Sequence, residues 1–273
     1  MQNALKLYIN EQLNFIPINF FHFSGGEEHV RIDTRMIDEI YHIRIDAKIM
    51  SSQIMMQLLL LNDALNRTQK LTENVIKILS LSYMPGARQD RVCEPGEALS
   101  VAVYADLINS IKANKVIIHD PHSDVTPALI NNILVISQDE IVCEKLGEYL
   151  KKEQITLVSP DAGALKKIYK TAKKLELPVL EASKKRDTKT GQIISSSIET
   201  HPNYPEKVMI IDDICDGGRT FIELAKVLKL NGVKSIWLYV THGIFSQGLS
   251  VFDDYIESIF TFNLLNAQLT NTE

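Results

Sequence analysis

A chain of 273 residues with a 45% hydrophobic share is long enough to bury two cores, so two compact domains are expected rather than one. Its 29 Lys and Arg against 34 Asp and Glu leave a net charge of -5, which provides no basic field for a nucleic-acid backbone. Cys93, Cys143 and Cys215 lack CxxC spacing, and an odd set of this kind fits a reducing compartment better than a disulfide scaffold or a zinc site. The first stretch, MQNALKLYINEQLNF, has no signal-peptide core, and no apolar run reaches bilayer length. A cytoplasmic protein that binds neither membrane nor nucleic acid is therefore expected.

From Leu5 to Ile49 short apolar segments alternate as strands do, in HVRID and YHIRID, with Ser24, Gly25 and Gly26 marking a turn. Hairpins are predicted there. Ser51 or Ser52 caps a predicted helix whose Ile54, Met55, Leu58, Leu59, Leu61 and Leu65 make a broad apolar face. Next come strand VIKILSLSY, loop PGARQDRVCEPGE, helix ALSVAVYADLINSIK, and strands KVIIHD and NILVI. Helix EIVCEKLGEYLKK, strand ITLVSPD and helix ALKKIYKTAKKL follow, then strand VMIIDD, helix FIELAKVLKL with Gly232 as C-cap, and strand SIWLYVTH. Strands separated by helices predict an α/β fold of mainly parallel sheets with flanking helices. A seam near Gln138 separates domains 1–138 and 139–273. Ligands of such sheets collect at the carboxyl ends of strands, where HDPHSD, SPDAG, IDDICDGGRT and THG fall.

In VMIIDDICDGGRT an apolar strand delivers Asp212 and Asp213 to its end, and Asp216, Gly217 and Gly218 turn the chain into a helix starting near Arg219 or Thr220. Glycines let the backbone approach a phosphate, the helix start offers unpaired N–H groups, and Thr220 adds a hydroxyl. Two adjacent carboxylates repel a phosphate, so they are read as acceptors for a sugar's vicinal hydroxyls, directly or through Mg2+. Phosphate and diol together describe a ribose phosphate. For the acid pair taken alone, a capping carboxylate at a helix start is the plainer explanation.

The whole string resembles the phosphoribosyl diphosphate signature shared by type I phosphoribosyltransferases and ribose-phosphate diphosphokinases. SYMPGARQDR resembles a motif of the diphosphokinases alone, and the resemblance to them runs from FSGGE to THGIFS. It implies two phosphoribosyltransferase-like domains: 1–138 with ATP-binding motifs and oligomer contacts, and 139–273 with the ribose-phosphate loop, its last strand packing on the N-terminal domain. It places Phe23, Glu27, Arg88, Gln89, Asp90, Arg91 and His122 around ATP, Phe23 serving the site of a neighbouring subunit. Gly25 stands where the family has an acid. His122 and Asp161 fall on the family's metal positions, while His119 is read as structural. Lys184 and Arg186, in SKKRDTKTGQII, fall on positions that stabilise the transferring group, although such a basic run is equally a solvated hairpin tip. Asp212, Asp213, Asp216, Gly217, Gly218, Arg219 and Thr220 make the ribose-phosphate site.

The implied reaction is attack of a ribose C1 hydroxyl on the β-phosphorus of ATP with Mg2+, giving phosphoribosyl pyrophosphate and AMP when ribose 5-phosphate is the acceptor. Gly217 and Arg219 depart from the family's TGGT turn. Arg219 either points outward or grips an extra phosphate, and the latter makes ADP-ribose an alternative acceptor, yielding ADP-ribose pyrophosphate for NAD salvage. A non-catalytic regulatory homologue that binds sugar phosphates is the reading from another class, and a phosphoribosyltransferase is a third. The resemblance also implies a homo-oligomer, a dimer or a hexamer.

Overall fold

The computed structural model describes residues 4–10, 12–35, 37–186, 193–198, 204–266 and 268–269, with the side chains of 183–186 and 193–197 excepted. The chain divides into two compact units, Met1–Ile136 and Ser137–Glu273.

The first unit contains β1 (Leu5–Ile9), β2 (Ile18–His22), β3 (Glu28–Ile32), β4 (Ile40–Lys48), α1 (Ser52–Asn66) and β5 (Leu71–Tyr83). After them come α2 (Ser100–Asn109), β6 (Lys115–His119), α3 (Val125–Leu129) and β7 (Ile133–Ile136). Five strands form a sheet in the order β1-β4-β5-β6-β7, parallel except for β1, which runs antiparallel to β4 at the edge. β2 and β3 make a separate antiparallel hairpin. Ser51 starts α1 as its side chain accepts from the Ile54 N–H at 3.3 Å, and Ile54, Met55, Leu58, Leu61 and Leu65 are buried as the helical period requires.

On this sheet Ile43, Ile45, Leu79, Leu81, Val116 and Ile118 are buried. The alternate residues face the other way and stay accessible, with Ile76 at 49% and Leu134 at 44% exposure. One buried side chain is polar: Lys77, 6% exposed, sends its Nζ to Asn62 Oδ1 at 2.6 Å and Asn66 Oδ1 at 2.9 Å, both on α1. Burial holds this ammonium below the usual lysine range.

The second unit contains α4 (Gln138–Lys152), β8 (Thr156–Ser159), α5 (Ala162–Leu175), β9 (Val179–Arg186) and β10 (Ile193–Ile198). It continues with β11 (Lys207–Cys215), α6 (Arg219–Leu230), β12 (Ser235–Gly243) and β13 (Ser258–Leu264). Its sheet runs β10-β9-β8-β11-β12-β13 and is parallel except for the β9–β10 hairpin. β8 and β12 are buried almost throughout, as strands covered on both faces must be. Val208, Ile210, Leu224, Leu228, Leu238 and Val240, none with accessible surface, form the centre of one core cluster. Gly232 follows α6 with φ +90°, as its capping place requires. β11 extends beyond the predicted VMIIDD to Cys215, so the acid pair sits within the strand and its ladder to β12. β13 belongs to this same sheet, with Asn263 opposite His242.

Among the described residues no helix is long and apolar enough to cross a membrane.

Candidate functional site

Because β8, β11 and β12 are parallel neighbours, the segments that leave their carboxyl ends gather on one rim of the second sheet. Asp212 is half-buried and Asp213 is 8% exposed, and the Asp213 N–H donates to Asp212 Oδ1 at 2.9 Å. Burial, then the Asp213 carboxylate and, more weakly, that of Asp161, push the Asp212 carboxyl well above its ordinary range. A cluster of this kind gains from any cation or pair of hydroxyl donors placed beside it.

Immediately beyond, Gly218 caps α6 with φ +80°, a left-handed conformation that favours glycine. Space demands glycine there as well, since a Cβ at Gly218 would collide with the ring of the buried Phe252. The Gly218 carbonyl accepts from the N–H groups of Phe221 and Ile222 at 3.0 and 3.1 Å. Arg219 and Thr220 therefore hold first-turn N–H groups outside the helix's own ladder, the arrangement that suits an anion. Arg219 is exposed and Thr220 half-buried. Cys215 lies under this turn; burial, with the Asp212 and Asp216 carboxylates adding, pushes its thiol up to about 12. It is a neutral packing group and not a nucleophile.

The loop after β12 lies along the same turn. Ile244 and Phe245 donate their N–H groups to the Cys215 carbonyl at 2.8 and 3.2 Å, and Ser246 donates to the Asp216 carbonyl at 3.2 Å. A Cβ on Gly217 would meet Gln247 Cγ at 3.7 Å and Ser246 Oγ at 3.9 Å, both ordinary contacts. Sequence reasoning marked THG as a strand end and carried the resemblance to Ser246, but missed Gln247, which carries no signal until the ladder aligns Gly243 with Cys215.

Asp161 caps α5: its Oδ1 accepts from the N–H groups of Gly163 at 3.0 Å and Ala164 at 3.1 Å. Among the described residues no three His, Cys, Asp or Glu side chains gather as a self-sufficient metal site. Mg2+ asks for less, because it keeps waters and binds through one or two carboxylates plus substrate phosphates. The backbones of Lys184 and Arg186 lie on β9, opposite Ser196 and Ile193 of β10, while residues 187–192 between these strands, with their Thr-Gly turn, lie outside the described residues.

In the first unit, the RQDR and PHSD segments leave the carboxyl ends of neighbouring strands β5 and β6. Arg88, Gln89 and Arg91 are exposed and Asp90 is half-buried. The Gln89 N–H donates to the Gly86 carbonyl at 2.9 Å, and the Gln89 carbonyl accepts from the Val101 N–H at 3.4 Å, which ties this loop to the start of α2. His122 is exposed, whereas His119 is half-buried and held below the usual histidine range by burial. Phe23, 56% exposed, stands edge-on to Phe21 at the tip of the β2–β3 hairpin, with ring centroids 5.6 Å apart. Its N–H donates to the carbonyl of the exposed Glu27 at 3.0 Å. A Cβ on Gly25 would lie 2.6 Å from a Glu27 carboxylate oxygen, so Glu27 leans over Gly25.

The structure thus brings Asp161 and the Asp212–Thr220 turn together in one unit, and the RQDR and PHSD loops together in the other. Residues 131–263 match the phosphoribosyl transferase domain family. The ribose-phosphate pyrophosphokinase of Mycoplasma genitalium is 30% identical over 228 residues, which cover 83% of this chain and 67% of the relative. That of Mycoplasmopsis pulmonis is 33% identical over 203 residues, covering 73% of this chain and 60% of the relative. The alignments therefore span between three fifths and two thirds of these relatives' own lengths. The crystal structure of phosphoribosylpyrophosphate synthetase from Mycobacterium smegmatis superposes with a TM-score of 0.71, covering 94% of this chain and 89% of that one at 22% identity. At that identity it establishes the shared fold.

Proposed function

The chain belongs to the ribose-phosphate pyrophosphokinase family, and from that premise we propose that it moves diphosphate from ATP to the C1 hydroxyl of ribose 5-phosphate, giving phosphoribosyl pyrophosphate and AMP. The observation that carries this reading is the acid pair of β11, half-buried Asp212 and buried Asp213, set shortly before the Gly217–Gly218 turn. Asp212 and Asp213 accept from the ribose hydroxyls, while the N–H groups at the start of α6 and the Thr220 hydroxyl take the 5-phosphate. The acceptor is thereby fixed at both ends, leaving C1 as its free position.

Arg88 and Arg91 meet ATP phosphates with planar donor forks, Gln89 and Asp90 bond its base or ribose, and Phe23 and Glu27 flank the adenine of a neighbouring subunit in a homo-oligomer, a dimer or a hexamer. Lys184 and Arg186 counter the charge that develops on the β-phosphoryl group. His122 and Asp161 are the proposed holders of Mg2+, which when bound neutralises phosphate charge; the acidic surroundings of Asp212 suit a cation on that rim. Cytoplasmic location belongs to the same reading.

The exposed Arg219 favours a second acceptor, ADP-ribose, whose terminal ribose presents the same C1 hydroxyl and a 5-phosphoryl group with a further phosphate beyond it. AMP release with Mg·ATP, measured side by side for the two acceptors, tests both. Faster release with ribose 5-phosphate is expected; release with ADP-ribose alone replaces the main reading, and none with either leaves a sugar-phosphate-binding regulator.

A further inference from the structure

We propose that Gln247, in the loop after β12, is an acceptor-binding residue: its carboxamide donates to the sugar phosphate from beside Gly217 in the cup. The proposal rests on the ribose-phosphate reading of this cup. Of the two glycines in the turn, Gly218 is required by its φ of +80° and by the Phe252 ring. Gly217 has neither constraint: it lies outside the positive-φ positions, and a Cβ there would meet only ordinary contacts. Its missing side chain leaves room for a methyl group, and the atoms that border it are Gln247 Cγ at 3.7 Å and Ser246 Oγ at 3.9 Å.

The loop that carries Gln247 has a fixed base. Three backbone bonds tie Ile244, Phe245 and Ser246 to the carbonyls of Cys215 and Asp216. Asn266 Nδ2 donates to the Phe245 carbonyl at 3.1 Å, the Gly248 N–H donates to the same carbonyl at 2.9 Å, and the Phe245 ring is 1% exposed. On this rigid base the Gln247 side chain is exposed, and among the described residues its amide has no hydrogen-bond partner. A neutral carboxamide suits the position. It donates to a phosphate oxygen without forming an ion pair with Asp212, Asp213 or Asp216, as a lysine in its place would.

The α6 end of the cup supplies backbone donors and the Thr220 hydroxyl; Gln247 supplies a donor from beside Gly217. Because a hydrogen bond to a charged group is lost, Gln247→Ala is expected to raise the KM for ribose 5-phosphate roughly tenfold or more, with kcat and the KM for ATP unchanged. Gln247→Glu has the same size and is exposed, which removes misfolding as an explanation, and is expected to raise that KM further through repulsion of the phosphate. Unchanged KM for ribose 5-phosphate in both variants overturns the proposal. Calorimetric titration of ribose 5-phosphate without ATP separates this claim from the proposed reaction. If the wild type forms no AMP, the reaction fails, while loss of ribose 5-phosphate binding in Gln247→Glu still supports Gln247 and equal binding still refutes it.

Discussion

In the second sheet every residue of β12 from Ile236 to Gly243 is buried, whereas along β4, β5 and β6 of the first sheet buried residues alternate with partly exposed ones. Both are parallel through their centres. The difference shows in side-chain choice: β12 reads as a continuous run, IWLYVTHG, while β5 places Ser80 and Ser82 between Leu79, Leu81 and Tyr83. A parallel strand reads as alternating when one face of its sheet is left open. The acid pair sits in the doubly covered sheet, where Asp212 pairs with Val240 of β12 and where carboxylates are costliest to keep charged.

Three substitutions test this contrast. Leu238→Ala, at a position with no accessible surface, is expected to cost about 3 kcal/mol. The single tryptophan, Trp237, stacks on Tyr149 at 5.3 Å within the same unit, so its fluorescence through a urea titration reports that loss locally. A shift under about 1 kcal/mol would mean that this core is loosely packed.

Asp212→Asn follows, with the opposite sign. Because the carboxyl's pKa is raised in the folded state, its ionisation opposes folding, fully so above the raised value and progressively less as pH falls towards the ordinary carboxylate range. The neutral amide is expected to lift the thermal midpoint by about 2–4 °C near neutral pH while abolishing AMP formation. A lowered midpoint would show that the acid pair is not a source of strain.

The smallest change is at Ile76, 49% exposed on the open face: Ile76→Thr is expected to stay within about 0.5 kcal/mol, read from hydrogen exchange of the β5 amides. A cost comparable to that at Leu238 would mean that a partner covers this face in solution.

Most of the helices and central strands were legible because each carries one dominant period. The α1 face and the run VMII declare their elements directly. β9 and β10 were not, since SKKR and IISSSI carry charge and hydroxyls where a strand signal needs apolar alternation, and antiparallel pairing supplies the order. β13 was also missed; SIFTFNL reads as a strand only once β12 offers it an edge. At the site, the acids, glycines and Thr220 were visible as one contiguous string. Gln247 beside Gly217 was not, because it depends on which strand ends lie side by side, information that resides in the ladder. The strand that carries Asp212 and Asp213 also outran its apolar run, because pairing with β12 continues through polar residues.

Lys77 gives the two halves of the chain opposite responses to acid and alkali. Its ammonium is buried against amide oxygens alone, so the folded first unit releases that proton more readily than the unfolded chain does. Its stability consequently rises with pH between the depressed value and the ordinary lysine value. The Asp212 carboxyl makes the second unit gain as pH falls. One covalent chain therefore holds two proton-linked contributions to stability of contrary sign, one in each unit.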